Sequence, residues 1–260
     1  MDLDLGHKVV LITGGAKGIG AAIARACSAE GAIPAIVDRD EGACGELQAE
    51  LGKTGAKSHA IAAELSSPEN CRKAVEQTAA KFGCIDALVN NAGINDGVGL
   101  ENGDPEKYLA SLQRNLLHYY NMAHYALPYL KTARGAVVNI SSKTAVTGQG
   151  NTSGYASAKG AILALTREWA AELLRYGIRV NAVVPSEVMT PLYKQWVSTF
   201  PNPDEKLKSI VARIPLGKRM TEPKEIADMV VFLLSGRASH ITGQHVYVDG
   251  GYVHLDRALE

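Results

Sequence analysis

Short apolar runs alternate along this chain with longer stretches in which apolar positions recur every three to four residues. The short runs read as strands buried on both faces, and the longer stretches as the helices that cover them. Seven runs qualify as strands: Lys8–Thr13, Ile33–Asp38, Ser58–Ala62, Ala87–Asn90, Ala136–Ser141, Arg179–Val184 and His245–Val248. Helices are predicted between them near 19–30, 41–52, 68–82, 105–131, 153–175 and 223–235. This alternation predicts an α/β fold: a doubly wound, parallel, seven-stranded sheet with helices on both faces. Asp40 and Ser67-Pro68 supply helix N-caps. Gly31, Gly52, Gly83, Gly177 and Gly236 stand just past helix ends, where a left-handed residue is wanted.

No repeat, low-complexity tract or shift in composition marks a second domain, so residues 1–260 are expected to form one. The interruption is 186–222, a Pro-punctuated stretch with helical pieces. It is too long for a plain connector and reads as a substrate loop or lid.

Composition narrows the partners. Lysine plus arginine number 27, as do aspartate plus glutamate, so no basic excess would drive binding to nucleic acid. No apolar run approaches the roughly 18 residues that span a bilayer. Cys27, Cys44, Cys71 and Cys84 form no C-x-x-C pair and, with no signal peptide ahead of them, read as free thiols of a cytoplasmic protein. The histidines never stand at metal-ligand spacing, and no metal site is expected.

Two clusters carry chemistry. The first strand runs into Gly14-Gly15-Ala16-Lys17-Gly18-Ile19-Gly20 and then into an alanine-rich helix. Glycines at 14, 18 and 20 let the chain turn sharply, approach a pyrophosphate and pack helix on strand, with helix N–H groups offered to the anion. A Rossmann-like nucleotide site is therefore expected. Asp38 ends the second strand, 18 residues after Gly20, where a carboxylate takes the adenine-ribose hydroxyls and repels a 2′-phosphate. Arg39 and Lys17 stand ready to receive such a phosphate. NAD is favoured and NADP stays open.

The second cluster is Ser142, Tyr155 and Lys159. Tyr155 and Lys159 are four apart in a predicted helix and share a face. Lowering a phenol pKa from about 10 to about 8 takes roughly 2.7 kcal/mol. A cation ~4 Å away at an effective dielectric of ~20 supplies about 4 kcal/mol before desolvation, so one lysine is expected to suffice. Ser142 ends a strand at the sheet edge where such folds bind ligands.

Together with Asn90-Asn91-Ala92-Gly93, Asn115, Ile140-Ser141-Ser142, Tyr155-Ala156-Ser157-Ala158-Lys159 and Asp249-Gly250-Gly251, these residues make the chain resemble the short-chain dehydrogenase/reductase family over essentially its whole length. The resemblance implies hydride transfer between a nicotinamide and an alcohol or hemiacetal carbon. It implies Tyr155 as general acid/base, Lys159 as the cation that lowers its pKa and holds the nicotinamide ribose, Ser142 orienting the substrate and Asn115 positioning a relay water. Asn91, Ala92 and Gly93 would line the adenosine side, Glu64 and Leu65 would contact adenine, and Pro185, Val188 and Thr190 would border the nicotinamide. The family more often has Asp where Glu64 stands. It also implies a homotetramer, with helices 105–131 and 153–175 pairing across two-fold axes.

Where the family usually has Pro-Gly, this chain has Pro185-Ser186-Glu187. A carboxylate there is costly against a steroid or acyl chain but can accept hydrogen bonds from neighbouring sugar hydroxyls. Candidate substrate contacts are Ser142, Lys143, Gln149, Asn95, Tyr155, Glu187 and, as a stacking face, Trp196, with Asp96, Asn151 and Gln195 nearby. The segments 185–193 and 251–257 are similar to those of sugar-oxidising members of the family. That similarity implies oxidation of the anomeric C1 hydroxyl of L-fucose, or a like-configured aldose, to the 1,5-lactone. His254 and Arg257 in the tail are placed to help close the pocket. The rivals are a 3-oxoacyl, dihydrodiol or hydroxysteroid enzyme and, outside catalysis, a nucleotide-sensing binding protein.

Overall fold

A computed structural model describes residues 2–256; Arg257 lies outside the described residues. Seven strands form one parallel sheet: β1 (Val9–Thr13), β2 (Ile33–Asp38), β3 (His59–Ala62), β4 (Ala87–Asn90), β5 (Ala136–Ile140), β6 (Arg179–Pro185) and β7 (His245–Val248). Their order across the sheet is β3-β2-β1-β4-β5-β6-β7, so the direction of winding reverses between β1 and β4. That reversal opens a crevice at the C-terminal strand ends, the usual ligand position in such sheets.

Side chains alternate between two cores. Val10 and Ile12 of β1, with Ala87 and Val89 of β4, face one layer, which contains α1 (Gly18–Ala29), α2 (Glu41–Gly52) and α9 (Pro223–Leu234). Leu11 and Leu88 face the other, which contains α3 (Pro68–Phe82), α5 (His118–Ala133) and α6 (Ser153–Leu173). Burial on both faces explains why these strands read as continuous apolar runs.

The caps follow the sequence in part. Asp40 accepts from the Ala43 N–H at 3.0 Å, and Ser67 from the Asn70 N–H at 3.4 Å. Gly31, Gly83 and Gly177 are left-handed, with φ of 76°, 78° and 69°. Gly52 is still helical, and the left-handed residue after α2 is Gly55 at φ 77°. Gly236 opens a 3₁₀ turn instead, because Ser235 accepts from the Arg237 N–H and starts a new cap.

The helix expected over 105–131 is two helices joined by a wider turn. α4 (Pro105–Leu112) passes through a π-helical turn, Gln113–Leu117, into α5. Each α-helical residue turns about 100°, so the residue inserted by a π turn re-aims every later side chain. Between β6 and α9 the chain forms α7 (Pro191–Val197) and α8 (Pro203–Val211). Among the described residues no helix is long and apolar enough to cross a membrane.

Candidate active site

The glycine loop leaves β1 with Gly14 at φ 58° and Gly18 at φ 54°. A Cβ on Gly20 would lie 2.0 Å from the Gly14 carbonyl, so only glycine lets α1 seat there. Asn91 braces the loop: its Nδ2 donates to the Thr13 carbonyl at 3.0 Å and the Gly14 carbonyl at 2.9 Å. The Thr13 hydroxyl accepts in return from the N–H groups of Asn91 and Ala92. The Asn91 side chain therefore fixes the shape of the glycine loop.

α1 begins with no side-chain cap and no acid in its first turn, which leaves N–H groups and the positive end of the helix dipole for a pyrophosphate. Thr190, from the loop after β6, comes to the same place, since a Cβ on Gly18 would meet its methyl at 3.2 Å. Val188 is buried beside it and Pro185 ends β6. These features fit a dinucleotide.

At the adenosine end, Asp38 accepts from the Ala16 N–H through Oδ2 and from the Asp40 N–H through Oδ1, both at 3.1 Å. Arg39 pairs with Glu64 at 3.8 Å and Lys17 pairs with Asp40. Both cations that a 2′-phosphate would want are thus answered by carboxylates. Leu65 is packed in the core, so of the adenine pair only Glu64 presents a side chain.

Ser142, Tyr155, Lys159 and Asn115 converge beyond β5. The Ser141 hydroxyl donates to the Lys159 carbonyl at 2.8 Å and ties α6 to that strand end. Asn115 sits in the π turn, where its Oδ1 accepts from the Ile94 N–H at 2.8 Å. Its side chain thus anchors the loop after β4.

Charge in this cluster departs from the sequence expectation. Burial pushes the Tyr155 phenol up to about 12; the hydrogen bond with Ser142 works against this, and the Asp96 carboxylate adds to it. Burial also pushes the Lys159 ammonium down to about 7. Burial therefore acts against the charged form of both groups, opposite to the lowering of the phenol pKa that the sequence spacing led one to expect.

Next to Ser142, the buried Lys143 ammonium pairs with Glu187 Oε1. The Tyr193 hydroxyl donates to Glu187 Oε2 at 2.7 Å, and the Tyr252 ring lies 4.1 Å from the Lys143 nitrogen. The structure therefore joins Lys143 and Glu187, and adds Tyr193 and Tyr252, which lie in the singled-out segments 185–193 and 251–257 but were not named as contacts. Their signal was proximity in the fold, and spacing along the chain carries none of it.

Other candidates are less engaged. Gln149, Asn151 and Gln195 are exposed, and Asn95 closes a turn on the Gly97 N–H. Trp196 is 43% exposed and packs edge-on against Tyr193 and Phe200. Asp96 pairs with Arg114 at 2.9 Å. In the tail, His254 packs against Tyr247, and the Tyr252 ring reaches the site at Lys143.

A family model described as enoyl-(acyl carrier protein) reductase matches residues 14–253. The L-fucose dehydrogenase of Bos taurus is 36% identical over 94% of this chain and 88% of its own. The chain belongs to the short-chain dehydrogenase/reductase family. The crystal structure of Cj0485 dehydrogenase superposes with a TM-score of 0.95 at 48% identity, covering 100% of this chain and 99% of that one. L-Sorbose reductase from Gluconobacter frateurii, solved with NADPH and L-sorbose, gives 0.94 at 28% identity over 98% of this chain and 100% of its own. As a member of the short-chain dehydrogenase/reductase family, the protein is an NAD(P)-dependent oxidoreductase.

Proposed function

We propose that this short-chain dehydrogenase/reductase oxidises the anomeric C1 hydroxyl of L-fucose, or a similarly configured aldose, to the 1,5-lactone. Bound NAD or NADP supplies the hydride acceptor, carbon 4 of its nicotinamide, and the positive charge of the oxidised ring. Ser142 holds the C1 oxygen by a hydrogen bond. Tyr155 removes its proton, so that the C–H electron pair can leave as hydride while C1 becomes the lactone carbonyl. Lys159, as ammonium, stabilises the phenolate and binds the nicotinamide ribose. Asn115 fixes the loop after β4 and positions a water that carries the proton outward.

The observation that carries the sugar reading is the Lys143–Glu187–Tyr193 cluster beside Ser142. Lys143 answers the cost of burying Glu187, so that cost does not by itself exclude an apolar substrate. The argument rests on the acceptor sites that remain. A carboxylate offers about four lone pairs, and Lys143 and Tyr193 occupy two of them. The remaining pair suits two adjacent hydroxyls, and the named sugar dehydrogenase and sugar reductase relatives support the same reading. A 3-oxoacyl-(acyl-carrier-protein) reductase relative, 34% identical, favours a second reading, reduction of the keto group of a 3-oxoacyl thioester.

Reduced-cofactor absorbance tests both. L-fucose, L-galactose, D-arabinose, D-glucose, a steroid alcohol and, in the reducing direction, acetoacetyl-CoA are each assayed with NAD(H) and NADP(H). Saturable turnover confined to fucose-configured sugars is the expected result, with NAD preferred because Asp38 stands at the ribose and Arg39 and Lys17 are already paired. Turnover of the thioester and of no sugar would replace this reading with the second. Binding of cofactor without turnover of any substrate would instead favour a nucleotide sensor.

We also propose a homotetramer in the cytoplasm. Leu109, Leu117 and Tyr120 on the α4–α5 arm are 63%, 47% and 54% exposed and offer apolar side chains to a neighbouring subunit. Sedimentation of the wild type should give a tetramer, and a monomer would reject the proposal.

A further inference from the structure

Lys159 is 2% exposed, and its nitrogen donates to two oxygens inside the fold. One is the Ile140 carbonyl at 2.8 Å; the other is the Tyr119 hydroxyl at 2.9 Å. Tyr119 is fully buried, and its own proton goes to the same Ile140 carbonyl at 2.8 Å. Its hydroxyl is therefore locked as an acceptor toward the ammonium. The Lys159 nitrogen lies 5.0 Å from the Tyr119 ring centre and 5.6 Å from that of Tyr155.

The π turn explains how a side chain of α5 comes to face Lys159. It sets the rotation of α5 so that His118 and Tyr119 point inward while Tyr120 is 54% exposed. The same turn therefore delivers Asn115 to the loop after β4 and Tyr119 to the lysine.

We propose that Tyr119 is a positioning residue of the active site, whose hydroxyl holds Lys159 beside Tyr155 and favours its charged form. The titratable groups around this pair are Tyr155 on α6, His118 and Tyr119 on α5, and Asp96 after β4. Burial and the nearby ammonium hold His118 neutral, its pKa pushed down to about 3. Among the described residues no carboxylate pairs with Lys159, so neutral oxygens must support the ammonium against desolvation. Two hydrogen bonds use two of its three N–H groups and leave the third for the nicotinamide ribose. The inference rests on the roles proposed above for Tyr155 and Lys159.

The test reads Lys159 directly. Protein labelled with carbon-13 at lysine Cε is titrated by NMR, with the Lys159 signal assigned by its loss in Lys159→Met. In Tyr119→Phe the titration midpoint should fall by about one pH unit, or tenfold in the ionisation constant, the effect of one hydrogen bond to a charged group. The acid-side limb of turnover should move to higher pH, because less ammonium remains to stabilise the Tyr155 phenolate. An unchanged midpoint means that the ring only fills the core, and overturns the proposal. Should Tyr119→Phe fail to fold, 3-fluorotyrosine at 119 keeps the shape and weakens the acceptor, and the midpoint should move the same way. Tyr155→Phe separates the two failures. Full activity there would reject the catalytic reading, whereas its loss with an unmoved Lys159 midpoint rejects Tyr119 alone.

Discussion

Tyr155→Phe should lower turnover by about 10²–10⁴-fold, the usual contribution of a positioned acid–base group. NADH affinity, measured by fluorescence titration, should stay close to wild type, because the ring remains and only the hydroxyl is lost. The pH profile should change with it. In the oxidative direction the working form of Tyr155 is the phenolate, so wild-type turnover rises as pH climbs through the phenol's pKa in the loaded enzyme. Without substrate or cofactor, burial holds that pKa at about 12. The ammonium and the oxidised nicotinamide must lower it, and the limb should sit at lower pH in the ternary complex than in the free protein. In Tyr155→Phe the limb should vanish. A variant that retained wild-type turnover and the limb would move the base to another residue.

This tension between burial and charge lay outside the sequence. Tyr155 and Lys159 share a helix face by spacing alone, and the structure keeps that arrangement. The direction in which their pKa values move depends on how much water the fold removes, which no spacing encodes. The same division runs through the molecule. β2, β4 and β7 stand where the apolar runs placed them, and the ends of the others differ by a residue, because strands buried on two faces leave a local, one-dimensional signal. The glycine loop was legible because backbone sterics demand glycine residue by residue, as at Gly20. The π turn was not, because Gln113–Leu117 contains neither Gly nor Pro and its cause is tertiary: Asn115 reaches across to the Ile94 N–H. The contacts of Tyr119 and Tyr252 were missed for the same reason. Each acts on a lysine remote in sequence, Lys159 and Lys143, and even the resemblance of segment 251–257 did not say what Tyr252 touches.

Glu187→Gln should separate substrate recognition from the shared chemistry of the fold. The change removes one charge from a buried pair and leaves the Lys143 ammonium with the Tyr252 ring and a neutral amide. Breaking such a pair from one side costs about 3–5 kcal/mol when the remaining charge stays buried. Part of that loss should appear as a lower melting temperature. The rest should appear as a fall of roughly 10²-fold in kcat/KM for the aldose, about 2.7 kcal/mol. NADH binding should fall less than this, because the Glu187 carboxylate meets Lys143 and Tyr193 and not the glycine loop. A purely structural pair would give the same melting result, so the double variant Lys143→Met with Glu187→Leu decides. Apolar residues of similar volume commonly restore the stability of a buried pair. If the cluster only braces the loop after β6, the double variant should recover both stability and sugar oxidation. If its carboxylate reads the sugar hydroxyls, stability should return and activity on the aldose should not.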